Sequence, residues 1–351
     1  MYLHEYDNWW SFTFDTSAVM NRLAAVRGLQ GRLLGELSSI GFSLQNEAQL
    51  TNISLEIVKS SEIEGEILNL EQVRSSVAKR LGIPTAGVVR TSRYVDGVVE
   101  MMLDATHNYT VPLTKERLFG WHNVLFQIAK YRTHVMQVVS GPIGFETVHY
   151  QAVEPERVPE EMARFIKWFN EDNSNDPILK AAIAHFWFVT IHPFDDGNGR
   201  IARALTEMLL SRADETSKRF YSMSNQIQID KNNYYDVLEK TQKGGGDITE
   251  WLLWFLKCLE NSIKATNETL SSVLRKARFW ESHSEMKFNE RQKKLINMLF
   301  DGFFGKLNTS KWAKIAKCST DTALNDINDL IGKGVLKKNE EGGRSTNYEL
   351  V

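Results

Sequence analysis

Residues 176–191 (DPILKAAIAHFWFVTI) are apolar around most of a helical circumference, and a helix with no polar face has nothing to present to water. It belongs in the middle of a bundle, so the fold class is mainly α. Residues 199–212 repeat that apolar character. The loop between them, 192–198, is therefore anchored by two buried helices and has to emerge from the core. Elsewhere the apolar spacing stays helical. Between residues 16 and 81, Val19, Leu23, Val26 and Leu29 mark one stripe and Leu55, Val58 and Ile63 another, at the interval of one helix face.

Two segments interrupt this rhythm. Residues 82–91 (GIPTAGVVRT) carry two Gly and a Pro, which break one helix before the next begins over 92–105. Residues 138–150 (VVSGPIGFETVHY) are β-branched with two glycines and read as a short hairpin. A helix opening at Pro159 follows, and after a turn at 243–247 (KGGGD) a long helix runs over 248–274. From residue 283 the charge changes sign: 12 Lys plus Arg against 9 Asp plus Glu gives +3, which leaves 30 against 35, or −5, for residues 1–282. Helices over 290–300, 310–316 and 319–333, strands over 335–338 and 346–350 and a Gly342-Gly343 turn between them follow the order of a winged helix. The chain is accordingly divided into an N-terminal helical region (1–90), a central core (91–282) and a winged-helix-like domain (283–351).

Composition excludes several functions. A formal charge of −2 gives no general attraction to nucleic acid or anionic lipid. The helix a winged domain would lay in DNA carries Asp321, Asp326 and Asp329 against Lys333, the wrong sign for phosphate contact. Lys337, Lys338 and Arg344 leave a small basic wing, so a protein-interaction role is favoured over DNA binding. Cys258 and Cys318 lie far apart, which indicates neither a disulfide framework nor a thiolate metal site. No stretch reaches the roughly 18 apolar residues of a membrane span, and residues 1–14 (MYLHEYDNWWSFTF) lack a secretory leader's basic end and apolar run. A soluble cytoplasmic protein, with no membrane partner, is expected.

The chemistry concentrates at residues 191–203, IHPFDDGNGRIAR. Gly197 and Gly199 allow positive φ and leave backbone N–H groups uncovered at a helix N-terminus, which is an anion cradle. Arg200 and Arg203, one turn apart, can reach the same polyphosphate. Asp196 offers an oxygen for Mg²⁺, and His192 is a general base suited to neutral pH. Three other readings fit less well. Gly197-x-Gly199-x-x-Ala202 matches a dinucleotide fingerprint but follows a helix rather than a strand. A calcium loop would need alternating acids, and a plain turn leaves the His and both Arg unexplained.

This stretch resembles the signature of the Fic (filamentation induced by cAMP) family, H-x-F-x-[D/E]-G-N-G-R-x-x-R, at every fixed position. The resemblance extends over residues 95–260 and implies a Fic helical bundle with a hairpin flap. It implies transfer of AMP from ATP, with Mg²⁺, to a Tyr, Thr or Ser hydroxyl of a target protein. By the same resemblance His192 deprotonates the acceptor, Asp196 holds Mg²⁺, and Gly197 and Gly199 offer N–H groups. Asn198 and Arg200 fix α and β oxygens, Arg203 pairs with the γ-phosphate, and Phe194 is a buried anchor. An intact Gly-Asn-Gly favours nucleotidyl transfer over phosphorylation. Phe145, Glu146, Thr147, Val148 and His149 would form the flap that holds the acceptor as an added strand, although a purely structural hairpin fits the same residues. Tyr234 and Tyr235 resemble the adenine-side segment, and as residues they are equally ordinary half-buried aromatics.

Upstream, Ser60-Ser-Glu-Ile-Glu64-Gly65 matches the family's inhibitory motif [S/T]-x-x-x-E-[G/N], which implies that Glu64 pairs with Arg203 and holds the enzyme off. The motif precedes the core, as in the class braked by an N-terminal helix. Residues 62–66, 74–76 and 80–82 resemble the N-terminal domain frequent in bacterial relatives. Self-association and modification of the chain itself are further family expectations. The rival readings are a DNA-binding or sensor-type regulator with a Fic core, a related enzyme using another nucleotide, and one that removes AMP.

Overall fold

The two N-terminal stripes fold as α1 (Thr16–Ser38) and α2 (Phe42–Ile63) in the computed structural model, which describes residues 1–38, 41–83, 89–142, 145, 147–300, 306–339 and 346–351. Two compact units result, residues 1–266 and residues 267–351. The architecture is mainly helical, with two small antiparallel hairpins among the described residues.

In α1, Val19, Leu23 and Val26 are buried as their spacing requires, but Leu29 is only partly covered and Gln30 points inward instead. The reason is polar: Gln30 donates to Asp214, and Arg27 beside it grips Asp176 at 2.9 Å. The second stripe departs further. Ile63 is buried, Leu55 and Val58 are half-buried, and the inward face is Leu50, Ile53 and Ile57 together with Glu56 and Ser60. A buried carboxylate needs hydrogen-bond donors, and Glu56 has them in Ser222 Oγ at 2.7 Å, the Ser224 amide at 2.9 Å and the Ser224 hydroxyl.

Next come α3 (Leu70–Leu81), α4 (Arg93–His107) and α5 (Lys115–Phe126). Asn69, Ser92 and Thr114 each accept from an amide of the first turn, which satisfies a donor the helix leaves orphaned. The expected hairpin is β1 (Gln137–Ser140) and β2 (Thr147–Gln151). Val138 faces Tyr150 and Val139 faces Val148, so His149 is the extra residue of a bulge. Gly342, Gly343, Arg344 and the flap residue Glu146 lie outside the described residues.

After α6 (Val158–Glu171), which opens on Pro159, α7 (Pro177–Ile191) runs through the middle of the first unit. Every residue from Ile178 to Ile191 is buried, at roughly 1.5–3 kcal/mol for each large apolar side chain. Trp9 and Phe12 cover one end, edge-on to Trp187 and Phe186 at 6.1 and 5.6 Å. The long flank of α7 packs on α8 (Asn198–Asp214), so the loop between them is held from both sides. α9 (Met223–Ile229) and α10 (Lys231–Gln242) complete this unit with the first part of α11 (Thr249–Ser282), a helix that ends eight residues beyond the end its sequence pattern indicates. No helix among the described residues is long and apolar enough to cross a membrane.

The second unit holds α12 (Glu290–Phe300), α13 (Thr309–Ala316), α14 (Thr320–Gly332), β3 (Leu336–Lys338) and β4 (Tyr348–Leu350). Leu295, Trp312, Ile327, Leu330 and Leu336 fill its core. Two of the three acids of α14 are tied down: Asp326 is buried against Arg291 at 2.7 Å, and Asp329 takes Gln292 at 2.6 Å and Lys333.

Candidate active site

The loop after α7 owes its shape to Asn198 and Phe194. Asn198 Oδ1 accepts from the Phe194 amide at 3.0 Å while its Nδ2 donates to the Phe194 carbonyl at 2.8 Å. The buried amide is thus engaged within its own loop. Phe194 is fully buried and stacks on His122 at 4.2 Å, which pins the loop from below. Gly197 caps α8 with φ 81°, and a Cβ there would lie 2.4 Å from the Phe126 ring. Gly197→Ala should therefore cost roughly 2–4 kcal/mol, left-handed strain plus overpacking. Gly65→Ala, also at positive φ but with nothing within 4 Å, should cost only about 1 kcal/mol. Urea denaturation of the two variants checks the difference.

His192 terminates α7 in the left-handed region, φ 53°. Its Nδ1 lies 3.3 Å from the Val189 carbonyl; only a protonated nitrogen can make that bond, so Nε2 keeps the lone pair. Burial pushes its pKa down to about 4, which leaves the ring neutral at physiological pH, with the Nε2 lone pair available.

Arg200 and Arg203 are both buried in the first turns of α8. Arg200 is held by the Tyr94 hydroxyl and by Asp196 Oδ1 at 3.3 Å, with its guanidinium 4.9 Å from the Phe126 ring centre. Arg203 donates to Ser60 Oγ at 2.8 Å, to the Ser60 carbonyl at 2.7 Å and to Glu64 Oε1 at 2.8 Å. Arg200 Nε and Arg203 Nη1 are buried with no hydrogen-bond partner among the described residues. Two unspent donors beside a helix N-terminus are the chemistry of an anion site.

Glu64 already sits in that site. A Cβ on Gly199 would lie 2.0 Å from Glu64 Oε1, so the carboxylate rests against bare backbone at the start of α8. Burial raises its pKa, but the Arg203 charge and hydrogen bond outweigh this and hold it below the ordinary carboxylate range. Its placement follows from how α2 ends. The Gly65 amide bonds back to Glu62 and the Glu66 amide to Ser61, both at 3.0 Å, with Gly65 at φ 84°; this is a Schellman ending, and it explains the glycine after the glutamate. Lys231 Nζ caps the Ile63 carbonyl at 2.7 Å.

A cavity of about 410 Å³ joins these parts. Glu64, His192 and Gly199 form its floor, Val138, Val139, Ser140, His149 and Tyr150 the hairpin side, and Tyr234, Tyr235 and Glu239 the α10 side. Tyr234 is buried, its hydroxyl 3.0 Å from His185 Nε2, whereas Tyr235 is 38% exposed. His149 joins Glu239 and Ser140, each at 2.6 Å, and so ties hairpin to helix. Thr147 and Val148 are exposed, and Phe145 is 83% exposed. Asp196 does not line the cavity; its side chain is open to solvent, with Oδ1 accepting from the Gly197 amide and from Arg200. Among the described residues no cluster of three His, Cys, Asp or Glu could hold a metal by itself. A wider cavity of about 660 Å³ lies elsewhere, between α3, α4 and α5, and contains none of these residues.

Sequence reasoning missed Tyr94 and Arg132. Tyr94 fixes Arg200, and Arg132 meets the carbonyl of His192 at 2.7 Å. Neither belongs to a local pattern that could have revealed it.

Residues 112–210 match the Fic/DOC family and residues 2–83 match a domain of unknown function, DUF4172. The chain is similar to the protein adenylyltransferase fic-1 of Caenorhabditis briggsae, 28% identical over 158 residues that cover 43% of this chain and 30% of that protein. It is also similar to the protein adenylyltransferase Fic of Nematostella vectensis, 28% identical over 220 residues, 60% of this chain and 47% of that protein. The chain thus spans a third to a half of the curated relatives it matches. In fold it is similar to a Fic family protein from Desulfovibrio desulfuricans G20, TM-score 0.57 at 21% identity over 96% of this chain and 97% of that one.

Proposed function

Residues 112–210 of this chain are a Fic/DOC domain, and from that premise we propose that it is an autoinhibited protein adenylyltransferase, moving AMP from ATP to a Tyr, Thr or Ser hydroxyl of a protein. The observation that carries the reading is the Glu64 carboxylate seated on Arg203 against Gly199, in the same cavity as His192.

With Glu64 withdrawn, the start of α8 offers its amides and two buried guanidiniums to a triphosphate. His192 Nε2 takes the proton of the acceptor hydroxyl, whose oxygen bonds to the α-phosphorus as the bond to the β-phosphate breaks and pyrophosphate leaves. Such transfer needs in-line positioning and charge stabilisation more than covalent help from the protein. Arg200 and Arg203 supply that charge, and Asn198 keeps the cradle in shape. The exposed Asp196 carboxylate, beside Gly197 and Arg200, would hold Mg²⁺, which would offset phosphate charge there. Tyr234 and Tyr235 wall the side where the base would lie. The hairpin edge would pair with the backbone of the acceptor segment, another protein or this chain itself. The second unit we assign to protein interaction: α14 contains no Lys or Arg, and its outward residues include Asp321, Asn325 and Asn328.

The test is label transfer in the presence of Mg²⁺, with the wild-type chain and Glu64→Gly. Label from the α-phosphate but not the γ-phosphate should reach protein, chiefly in the variant. No transfer by either chain, with ATP bound, would sink the reading in favour of AMP removal, another nucleotide or a regulatory core.

A further inference from the structure

The last carbonyls of α7 lack donors from their own helix, as at any helix end, and here they lie in the protein interior. Arg132 meets them. Its Nε donates to the His192 carbonyl at 2.7 Å, its Nη2 to Ile191 at 3.4 Å, and its backbone amide to Pro193 at 3.0 Å. The same guanidinium donates to His134 at 2.8 Å and to Val153, the two strands of chain that lead into and out of the hairpin. Arg132 is 2% exposed and forms no ion pair among the described residues. A buried cation ordinarily takes a carboxylate; this one is spent on carbonyl groups and on the negative end of a helix.

We propose that Arg132 is a positioning residue for the reaction: it holds His192 in its left-handed backbone conformation and locks that conformation to the root of the hairpin. Gln127, Glu215 and Lys317 end their helices in the same left-handed region, as helices commonly do; what sets His192 apart is the buried guanidinium fixed to its carbonyl. The ring's own bond to Val189, at 3.3 Å, is too long to aim the imidazole alone. Base and flap then keep one geometry because Arg132 grips both, beside the Tyr150 hydroxyl of the hairpin, which donates to the Thr190 carbonyl at 2.7 Å. The inference rests on the base role given to His192 above.

The test uses the full chain carrying Glu64→Gly, with Arg132→Lys or Arg132→Gln added. Lysine keeps the charge but replaces a rigid fork of donors by one mobile ammonium. It should lower kcat for AMP transfer roughly 100-fold, the cost of a small misplacement, while ATP affinity stays at the parent value. Glutamine removes the charge, which favours protonation of His192. The other groups facing the ring are Asp196 and, in the wild type, Glu64, both of which also favour the protonated form. The acid limb of the rate profile, and the His192 titration followed by NMR without turnover, should then move to higher pH in Arg132→Gln and stay in place in Arg132→Lys. Parent-like kcat in Arg132→Lys, an unmoved titration in Arg132→Gln, or loss of ATP binding in step with kcat would overturn the proposal. Absence of transfer in the Glu64→Gly parent would count against the enzyme reading instead, and the NMR titration would still decide the role of Arg132.

Discussion

Glu64→Gly is expected to raise the initial rate of AMP transfer by roughly 10²–10³-fold, the usual cost of withholding one preorganised donor from a charged transition state. In the wild-type chain that donor is Arg203, whose Nη2 is given to Glu64 at 2.8 Å. The carboxylate does more than occupy it. Resting against Gly199, it sets a negative charge where phosphate oxygens must go, so a triphosphate either stays out or sits in a pose unsuited to in-line attack. Glycine removes both effects and leaves Arg203 to Ser60 alone. Mild acid should not mimic the substitution, because Arg203 keeps Glu64 ionised below the ordinary carboxylate range. Initial rates from α-labelled ATP between pH 5.5 and 8 check both statements; a wild-type chain as fast as the variant would remove the brake from the account.

The second large effect is loss. His192→Ala, placed on Glu64→Gly, should lower transfer by about 10²–10⁴-fold, the range for a positioned general base, with ATP affinity retained because the phosphate donors lie on α8 and not on the ring. Since burial holds the imidazole near a pKa of about 4, the acid limb of the parent should fall well below the 6.5 of an ordinary histidine. Isothermal titration with ATP and the rate profile separate binding from proton transfer. Undiminished transfer in the alanine variant would take the base role from His192.

Much of this site was legible because it is local. Residues 192–203 fold into one loop and the first turns of one helix, so their spacing in sequence is their spacing in space. The all-round apolar character of α7 likewise gave away its burial. Glu64 meets Arg203 across 139 positions, and only the six-residue motif pointed there; its glycine became intelligible once Gly65 was seen to close α2. The inner face of α2 was misread from apolar spacing, because Glu56 and Ser60 are buried by specific hydrogen bonds that hydropathy does not register. Asn198 shapes its loop rather than reaching outward, a matter of side-chain direction that no spacing conveys. Arg132 was invisible for a related reason: its partners are carbonyl oxygens, which every residue possesses.

Under the proposed autoinhibition, the way α2 is fastened sets how the brake would behave with concentration. Glu56 is anchored to Ser222 and Ser224, Lys231 caps the end of the helix, and Glu64 belongs to the same chain as the arginine it covers. Closure is therefore first-order, and dilution leaves it unchanged. A free carboxylate would have to approach the effective concentration of a tethered one to compete. Whatever frees Arg203 under this reading meets the final turn of α2, which the Schellman turn, Lys231 on the Ile63 carbonyl, Gln228 on Glu62 and Arg203 on Ser60 fasten together.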